Sequence, residues 1–507
     1  MNLMMLLEMA ADGLGERVAI GSLDGGLTYR ELFSRAQGAA DRYRATGVDA
    51  AVVCDESSTA IPVALFGSAW AGIPYVPLNY RLPADDLIAL AERAGAAVAV
   101  VDDGNRERLA ALDGVHTVGA SDFIADPSGG AANSSAPSDW GVDPDDVAVL
   151  LFTSGTTGTP KSAVLRHKHL VSYILGSVEF MGAGEDEATL VSVPPYHIAG
   201  VAAMLSSIYS GRRIVQLPRF DADAWIDTVE REGVTHAMVV PTMLTRIVDA
   251  LDARGGEPLL GVRALSYGGG KMPRPVIERA LELFPITNFV NAYGLTETSS
   301  TIALLGPDDH RVAQYSDDPV EKQRLASVGR PLPGVEVEIR DDDGAALGAG
   351  EVGEIHVRGE QVAGEYREKG SLLDADGWFP TRDGGYLDAD GYLFIQGRND
   401  DVIIRGGENM SPGEIEDVAI AHPKVRNAAA IGVPCREWGE KVVLVVVPDG
   451  SAPDPDELGE LIRSRLRSSR VPAHVVTVDE LPYNETGKLL RRVLREDHAH
   501  LGDDPTD

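Results

Sequence analysis

The sequence predicts an α/β protein, with a large N-terminal domain of helix-covered sheets followed by a small α+β domain. Short β-branched segments alternate with helical ones along most of the chain, a pattern typical of parallel sheets covered by helices. The chain has 507 residues, more than one hydrophobic core usually supports. A change of pattern near residues 396–401 then indicates the start of a second, smaller unit.

The elements of the first domain can be followed in order. The opening MNLMMLLEMAADG lacks a basic stretch and carries Glu8, so an amphipathic helix fits it better than a secretion signal. Strands are predicted at HTVGA, VAVLLF, ATLVSVPP, HAMVVPT and RALSYGG, and a helix at AWIDTVEREG. Residues 125–146 are rich in small and polar residues, so we expect a long exposed loop there.

The second unit follows QGRNDD at residues 396–401. Ser411, Pro412 and Glu414 have the spacing of a helix capping box with proline at the first helical position. The strand-like segments AAAIGV and KVVLVVV, the helical PDELGELIRSRLRS and the strand-like HVVTVD come next. This order predicts a compact α+β domain.

Composition argues against several classes of function. The chain has 45 lysines and arginines against 78 acidic residues, a net charge of −33. That field repels phosphate and argues against a nucleic-acid binder or an anionic membrane surface, although it is compatible with a local anion site. Cys54 and Cys435 are too far apart in sequence to suggest a disulfide framework or a zinc site, so we expect a cytoplasmic protein. No apolar run approaches the length of a membrane span.

The segment LLFTSGTTGTPKSAV, residues 150–164, combines hydroxyl donors, glycines and Lys161 behind an apolar run. Hydroxyls and close backbone approach suit a phosphate group, and the lysine adds a point charge. Pro160 precedes Lys161 directly, so the segment is not a Walker A loop, in which glycine holds that place. From these residues alone, a phosphate loop and a polar turn are equally supported.

Further motifs follow along the chain. In VNAYGLTETSS, Tyr293 can cover a purine face and Glu297 can hold a magnesium ion bound to phosphate oxygens. The remaining segments are VPPYHIAG (193–200), YGGGKMP (267–273), GWFPTRDGGYLDADGYLFIQGR (377–398), RGGENMSP (405–412) and NETGKLL (484–490). Each of them alone could be an ordinary turn or strand end.

Together and in this order, these segments resemble the adenylate-forming superfamily: acyl- and aryl-CoA synthetases, adenylation domains of peptide synthetases, and luciferases. The resemblance extends from LTYRELFSRAQGAADRYRATGV near the start to ETGKLLRR near the end. It implies an AMP-forming acid–thiol ligase that uses ATP and Mg²⁺. The acyl group would pass to coenzyme A or to a phosphopantetheinyl carrier protein.

The resemblance also implies roles for individual residues. Lys488, Glu297 and Thr296 would be catalytic, with Glu297 and Thr157 holding the metal. The implied nucleotide-binding residues are Thr153, Ser154, Gly155, Thr156, Thr157, Gly158, Lys161, Gly268, Gly269, Gly270, Asn291, Ala292, Tyr293, Gly294, Asp383 and Arg398. The implied substrate-binding residues are His197, Gly200, Tyr267, Gly406 and Gly407.

By the same resemblance, residues 1–399 form the AMP-binding domain and residues 400–507 a mobile lid with its hinge at Asp400. Two positions depart from the family pattern. Lys271 belongs to a Gly-Lys pair where many relatives have Ala-Pro, and we expect it to reach solvent or to steer an acidic or polar substrate. Arg382 replaces the glycine of a Thr-Gly-Asp motif, and we expect it to point outward.

The thiol acceptor and the acid stay open at this point. No insertion is visible between Gly359 and Trp378, which favours coenzyme A over a carrier protein. Small and apolar residues in segments 197–204 and 267–272 suit a medium-chain, branched or aromatic acid. The alternatives are a ligase that loads a carrier protein or activates an unusual small acid in a biosynthetic cluster, and a nucleotide-binding protein without turnover. A serine hydrolase is disfavoured because the sequence has no G-x-S-x-G.

Overall fold

The computed structural model describes residues 1–110, 112–125, 140–141, 143–153, 160–436, 438–484 and 487–503. The α-helices of this part are α1 (Met4–Leu14), α2 (Tyr29–Thr46), α3 (Ala60–Ala71), α4 (Ala84–Ala94), α5 (Asp103–Leu109), α6 (Ala120–Ala125), α7 (His167–Ser177), α8 (Ile198–Ser210), α9 (Ala222–Glu232), α10 (Pro241–Ala253), α11 (Arg274–Leu283), α12 (Pro307–Tyr315), α13 (Pro319–Gln323), α14 (Pro412–Ile420), α15 (Pro455–Arg465) and α16 (Arg491–Asp497).

The strands before residue 400 are β1 (Val18–Ile20), β2 (Leu27–Thr28), β3 (Ala50–Cys54), β4 (Tyr75–Pro77), β5 (Ala97–Val101), β6 (Val115–Gly119), β7 (Val147–Thr153), β8 (Lys161–Arg166), β9 (Ala188–Val191), β10 (Arg213–Gln216), β11 (His236–Val239), β12 (Ala264–Gly268), β13 (Asn288–Leu295), β14 (Ser300–Leu305), β15 (Arg330–Pro331), β16 (Glu336–Arg340), β17 (Gly353–Arg358), β18 (Glu365–Tyr366), β19 (Gly370–Ser371), β20 (Phe379–Leu387) and β21 (Leu393–Arg398). Those after it are β22 (Ile403–Arg405), β23 (Glu408–Met410), β24 (Val425–Cys435), β25 (Gly439–Pro448) and β26 (His474–Thr477).

Two large sheets form the body of the N-terminal unit. One has the strand order β19-β18-β8-β7-β4-β3-β5-β6, and the other β15-β14-β13-β12-β11-β9-β10-β1-β2. Their central strands run parallel, and antiparallel strands complete the edges. Strands such as β3 and β5 are buried at every position, as expected for strands with a helix layer on each face. The predicted helix-covered sheets are therefore confirmed.

Helix α3 shows how the body is held together. All but its last residue are buried, and the helix packs on α2 and on β3. Trp70 and Phe66 of this helix belong to one apolar core that extends through both large sheets. An element that is apolar all round is stable only when fully enclosed, which explains its central place.

A third sheet has the order β16-β17-β20-β21 and is antiparallel throughout. The sequence reading of helix-covered sheets did not include it. Its apolar side packs with Ile302 and with half-buried Tyr293 and Leu295 of the second large sheet. In this way β20 and β21 bring their polar residues beside β13.

The C-terminal unit is an α+β domain, as predicted. Its sheet has the order β23-β22-β25-β24, with β26 added in parallel beside β25. Alternate faces of β24 and β25 fill two apolar clusters, so the unit has a core of its own.

Local predictions fared unevenly. Helix α1 and the strands at β6, β7, β9, β11 and β12 are confirmed. The capping box of α14 is wrong: the Ser411 hydroxyl donates to the Gln396 carbonyl, 2.7 Å away, and Glu414 accepts from Arg470. Both side chains serve tertiary contacts instead of the helix end. Most of the predicted loop at 125–146 lies outside the described residues.

Within the described part of the chain, none of the helices combines the length and the apolar character needed to cross a membrane.

Candidate nucleotide site between the two units

The phosphate segment connects two antiparallel strands of the first large sheet. Thr153 ends β7 and Lys161 begins β8, with the Thr153 hydroxyl 3.4 Å from the Lys161 carbonyl. The Lys161 ammonium lies 6.0 Å from the centre of the Tyr366 ring. Burial, followed by the neighbouring Lys369 and Arg382, lowers the pKa of Lys161. The predicted site residues Ser154, Gly155, Thr156, Thr157 and Gly158 lie outside the described part.

Tyr293, Asp383 and Arg398 form a connected group where β13, β20 and β21 meet. The Tyr293 hydroxyl donates to Asp383 at 2.6 Å, and Arg398 lies 3.3 Å from the same carboxylate. Burial raises the pKa of Asp383, while Arg398 and the hydrogen bond from Tyr293 oppose that shift. The pKa of Tyr293 is also raised, first by burial and then by Asp383. These contacts hold the Tyr293 ring in place and keep the buried Asp383 carboxylate beside it as a hydrogen-bond acceptor.

Glu297 lies in a short 3₁₀ turn, Thr296–Thr298, directly after β13. Its carboxylate accepts a hydrogen bond from the Tyr366 hydroxyl, and its carbonyl accepts from the amides of Ala363 and Gly364 at 2.9 Å each. Thr296 opens the same turn and is half-buried. This arrangement holds one carboxylate at a fixed place near the end of β7.

The other predicted residues of β12 and β13 act mainly through the backbone. Gly268 and Gly294 each lie so close to a neighbouring carbonyl, of Ala292 and Ser300 respectively, that a side chain would overlap it. Asn291 is buried and donates to the Ser327 carbonyl at 3.0 Å. These contacts pack the end of β13 closely against β12, β14 and Ser327, with half-buried Ala292 paired to Gly268.

The structure places Tyr267 differently from the substrate-binding role that the resemblance implies. Its side chain is fully buried in the main core, and its hydroxyl lies 2.9 Å from Nε2 of His310. Gly270, three residues further on, lies beside Gly487 of the C-terminal unit.

His197 occupies the N-cap position of α8 without a capping hydrogen bond from its side chain, and its ring lies tilted against Tyr196 with the ring centres 4.6 Å apart. Burial, with a smaller effect of Arg81, lowers the pKa of His197 to about 4. The imidazole is therefore neutral at pH 7. Gly200 lies in the first turn of α8. A methyl carbon added there would be 2.6 Å from the Pro194 carbonyl oxygen, so the helix packs closely against Pro194 at this position.

Lys488 comes from the C-terminal unit and faces this site. Its turn is closed by Asn484, whose side chain accepts from the Lys488 amide at 2.8 Å. Gly487 (φ +71°) packs against Thr242 at the start of α10 and against Val240. Gly270 lies close to the Gly487 carbonyl, and Lys488 acts electrostatically on Asp383. The structure thus joins Lys488 to the predicted nucleotide residues.

Gly406 and Gly407 lie on a different element of the same unit, the tight turn between β22 and β23. Both have a positive φ, +60° and +81°, as a two-residue hairpin turn requires. The Gly406 amide donates to the Trp438 carbonyl at 2.7 Å. Trp438 and Ile404 nearby expose 42% and 53% of their surface. In this structure the turn therefore contacts its own unit.

Asp400 lies between residues held by opposite units. Arg398 pairs with Asp383 of the N-terminal unit, whereas Asp401 pairs with Arg491 and Arg495 of the C-terminal unit. Asp400 itself lies 4.0 Å from Arg398. Side-chain contacts therefore pass from the N-terminal unit to the C-terminal unit between Arg398 and Asp401.

A cavity of about 260 Å³ lies beside the Lys488 turn. Val193 and Pro194 form one wall, Met243 and Arg246 of α10 another, and Tyr483 and Asn484 of the C-terminal unit a third. Pro194 belongs to the segment that ends at His197 and Gly200. The cavity therefore opens between the two units, next to the candidate site.

Two positions, Lys271 and Arg382, depart from the family pattern, and the structure describes both. Lys271 does not extend freely into solvent, because its ammonium pairs with Asp417 of the C-terminal unit at 2.5 Å. Arg382 is exposed, and its backbone has φ +62°. Its charge acts on Lys161, so its side chain lies near the phosphate segment, and its outward direction stays a prediction.

Sequence reasoning missed Tyr366 and Glu368. Tyr366 binds Glu297, and Glu368 accepts from Ser162 and from Arg93. They reach the site because β18 pairs with β8 at Ala163, some two hundred residues earlier in the chain. No local motif marks such a distant strand pairing.

Comparison with known proteins decides the family. The sequence profile of the AMP-binding enzyme matches residues 7–367, and that of the AMP-binding enzyme C-terminal domain matches residues 414–488. This chain belongs to the AMP-binding enzyme family. The prediction of the adenylate-forming superfamily is thereby confirmed.

Individual relatives of this AMP-binding enzyme cover nearly its whole length. It is 34% identical over 478 residues to feruloyl-CoA synthase of Amycolatopsis sp, covering 92% of this chain and 93% of the relative. It is 31% identical over 486 residues to the fatty acid–[acyl-carrier-protein] ligase ScoC of Streptomyces coeruleorubidus, covering 93% and 91%. Among solved structures, O-succinylbenzoate coenzyme A synthetase (MenE) of Bacillus subtilis, in complex with ATP and magnesium ion, superposes with a TM-score of 0.80 at 28% identity, covering 96% and 98%.

Proposed function

We propose that this AMP-binding enzyme is an acid–thiol ligase. It activates a carboxylic acid with ATP, releases pyrophosphate, and passes the acyl group from the acyl-adenylate to a thiol. The observation that carries the proposal is the docking of the Lys488 turn against Gly270 and Thr242 of the N-terminal unit, which places a cation from the C-terminal unit close enough to act on Asp383.

The proposed nucleotide site uses the groups that converge on β13. Tyr293 offers an aromatic face whose hydroxyl is anchored at Asp383. The remaining carboxylate oxygen of Asp383, with Arg398 beside it, suits the two ribose hydroxyls. Thr153 and Lys161 place donors and a positive charge on the phosphate side.

Glu297 fits a magnesium ion bound mainly by phosphate oxygens. Mg²⁺ usually keeps one or two protein carboxylates and completes its shell with water and phosphate. Glu297 supplies one such carboxylate. Within the described residues, there is no separate cluster of three or more acidic, histidine or cysteine side chains that could hold a metal ion. Bound there, the ion would neutralise charge on the phosphate oxygens.

The chemical step then follows from charge. The acid is an anion and must attack the α-phosphorus of another anion, forming a C(O)O–P bond while the bond to pyrophosphate breaks. Lys488 neutralises charge between the two reactants, and the fixed site around Tyr293 holds them in line. In the second step a thiol sulfur bonds to the acyl carbon and AMP leaves.

The second step requires a different face of the C-terminal unit. We propose that this unit rotates about Asp400, where side-chain attachment passes from Asp383 to Arg491 and Arg495. Rotation removes Lys488 and presents the Gly406–Gly407 turn instead. The exposed Ile404 and Trp438 beside that turn are apolar surface suited to docking on the N-terminal unit.

The acceptor is proposed to be coenzyme A, with a carrier protein as the alternative. Relatives of both kinds, feruloyl-CoA synthase and an acyl-carrier-protein ligase, match at similar identity. The cavity lined by Pro194, Met243 and Tyr483 lies between the two units, where a narrow pantetheine arm would enter. Its walls change when the C-terminal unit turns, because Tyr483 and Asn484 belong to that unit.

Product analysis with Lys488→Met tests the proposal. Purified enzyme with ATP, Mg²⁺ and a panel of acids should release AMP and pyrophosphate, and addition of coenzyme A or holo carrier protein should give the matching thioester. Because Lys488 neutralises the reacting charges, Lys488→Met should slow acid-dependent pyrophosphate release by about 10²–10³. Pyrophosphate is measured by a coupled phosphate assay.

Lys424→Met is the matched control, since Lys424 pairs with Glu457 at 3.8 Å on the surface of the same unit. It should retain the wild-type rate. Formation of ADP instead of AMP, or equal rates for Lys488→Met and Lys424→Met, would overturn the proposal.

A further inference from the structure

The ammonium of Lys271 joins the N-terminal unit to the C-terminal unit. Its Nζ lies 2.5 Å from Oδ1 of Asp417 and donates to the Gly413 carbonyl at 3.4 Å. Gly413 and Asp417 are four residues apart on α14, so they lie one turn apart on the same helix face. Lys271 follows Gly270, which lies against the Lys488 turn. One short segment therefore contacts both α14 and the turn that carries Lys488.

The start of α14 also packs on the N-terminal unit from another side. The Ser411 hydroxyl donates to the Gln396 carbonyl at 2.7 Å. A methyl carbon added at Gly413 would lie 2.6 Å from that same oxygen. Gln396 belongs to β21, before Asp400, so these contacts too form only when the C-terminal unit has this orientation.

We propose that Lys271 is a positioning residue that, through Asp417, favours the orientation in which Lys488 faces the nucleotide site. This inference rests on the proposed function. Lys271 and Asp417 lie on opposite sides of Asp400, so a rotation of the C-terminal unit about Asp400 separates them. The same rotation withdraws Lys488. The ion pair thus stabilises the adenylate-forming orientation alone and shifts the balance between the two half-reactions.

The geometry argues against the alternative that Lys271 steers an acidic substrate. Asp417 neutralises its charge, and the side chain is directed at α14. Because 49% and 59% of the two side chains are exposed, the pair is screened by solvent, and a two- to fivefold change in the balance is the expected size.

The two half-reactions can be measured separately in Lys271→Met, Asp417→Asn and the double variant. Acid-dependent pyrophosphate release without thiol should fall about two- to fivefold in each, because the productive orientation is less populated. Conversion of preformed acyl-adenylate to thioester should stay the same or rise. The double variant should lose no more than either single one, and the charge reversal Lys271→Asp with Asp417→Lys should regain part of the loss.

A matched control pair lies a few residues away. Arg274 and Glu278 form an ion pair at 2.7 Å with 52% and 45% exposure, but both belong to α11. Arg274→Met and Glu278→Gln should leave the ratio of the half-reactions unchanged. If Lys271→Met slowed turnover for acidic substrates while Asp417→Asn did not, Lys271 would be a substrate contact and the proposal would be wrong. Unchanged half-reactions, or equal losses in both, would also overturn it.

A distance measurement tests the orientation without activity. Spin labels at Asp342→Cys and Glu460→Cys, exposed residues of the two units, are introduced in a Cys435→Ser background. In the unmodified enzyme, one population of molecules should show the interlabel distance expected from this structure. In Lys271→Met, the ratio of that population to molecules with other interlabel distances should fall about two- to fivefold. The proposal fails if the distance distributions coincide. Absence of pyrophosphate release in the unmodified enzyme would instead contradict the proposed function.

Discussion

Arg382 adopts a left-handed backbone conformation, φ +62°, directly before the buried Asp383. For an L-residue with a side chain this conformation costs about 1 kcal/mol or more. Its amide donates to Glu354 at 3.0 Å, and the residue is exposed. The neighbouring strands keep the backbone of Arg382 in this strained conformation. Among the described residues, the guanidinium makes no contact that these strands require.

We therefore expect Arg382→Gly to be more stable than Arg382→Ala by about 1 kcal/mol, because both remove the side chain but only glycine relieves the strain. Urea unfolding of the two variants measures the difference. Acid-dependent pyrophosphate release should be similar in both. The reverse order of stability, which is normal where φ is negative, would show that the position is not strained.

The family resemblance assigned Tyr293, Asp383 and Arg398, which come from two separate motifs, to nucleotide binding. The structure brings the three within hydrogen-bonding or ion-pair reach, and their roles in nucleotide binding stay predictions. Lys271 and Ser411 were not understood, because their partners Asp417 and Gln396 depend on how two units meet. A sequence pattern indicates which residues share a face of one helix or strand. It does not indicate how the N-terminal and C-terminal units pack against each other.

At the scale of elements, α14 is the part of the C-terminal unit that packs closely on β21. Gly413 allows this, since an added methyl carbon would lie 2.6 Å from the Gln396 carbonyl oxygen. Because Gln396 precedes Asp400 and Gly413 follows it, the proposed rotation about Asp400 would separate the two residues. A side chain at Gly413 therefore acts against this orientation and not against the fold of either unit.

Gly413→Ala should slow acid-dependent pyrophosphate release by about tenfold, as expected when roughly 1–2 kcal/mol of overlap opposes the docked state. Thioester formation from preformed acyl-adenylate should be much less affected. Stopped-flow assays of the two steps provide the comparison. Gly459→Ala in α15 is the control, because its new methyl carbon would meet only Val471 at an ordinary 3.6 Å. Equal loss in both steps for Gly413→Ala would contradict the prediction.

In the two large sheets, strands β6, β7, β9, β11 and β12 were predicted from sequence, because hydrophobic runs bounded by turns are local signals. The antiparallel sheet of β16, β17, β20 and β21 was not, since its strands carry mixed polar and apolar residues and pair across long connections. The same limit explains Tyr366: its contact with Glu297 depends on the single register position where β18 meets β8.

At the scale of the whole molecule, a net charge of −33 surrounds a site that must gather two anions. The cations there come from distant parts of the chain: Lys161 from β8, Arg398 from β21, and Lys488 from the C-terminal unit. Lys161 and Arg398 belong to the N-terminal unit, so their positive charge is present at the site in any orientation of the C-terminal unit. The charge of Lys488 is added only while the two units are docked, which links the orientation of the C-terminal unit to the proposed first half-reaction.

Buried histidines make the stability of the whole molecule depend on pH. His167, His169 and His310 are buried, and burial lowers the pKa of each to about 4. Because the unfolded chain titrates near 6.5, it binds more protons than the folded one between pH 6.5 and 4, so stability falls as pH falls through that range. Above pH 6.5 these groups are neutral in both states and contribute nothing.

His310 isolates this effect. Its Nδ1 donates to the Gly306 carbonyl at 2.8 Å, so Nε2 accepts from the Tyr267 hydroxyl at 2.9 Å, and the neutral ring is the form that fits. The stability lost between pH 7 and pH 5 should be smaller in His310→Gln than in the unmodified enzyme by about 2 kcal/mol, since one suppressed pKa is removed. Urea unfolding at the two pH values measures this loss. His116→Gln, at an exposed position, should behave like the unmodified enzyme, and an equal loss in His310→Gln would show that this imidazole is not held neutral.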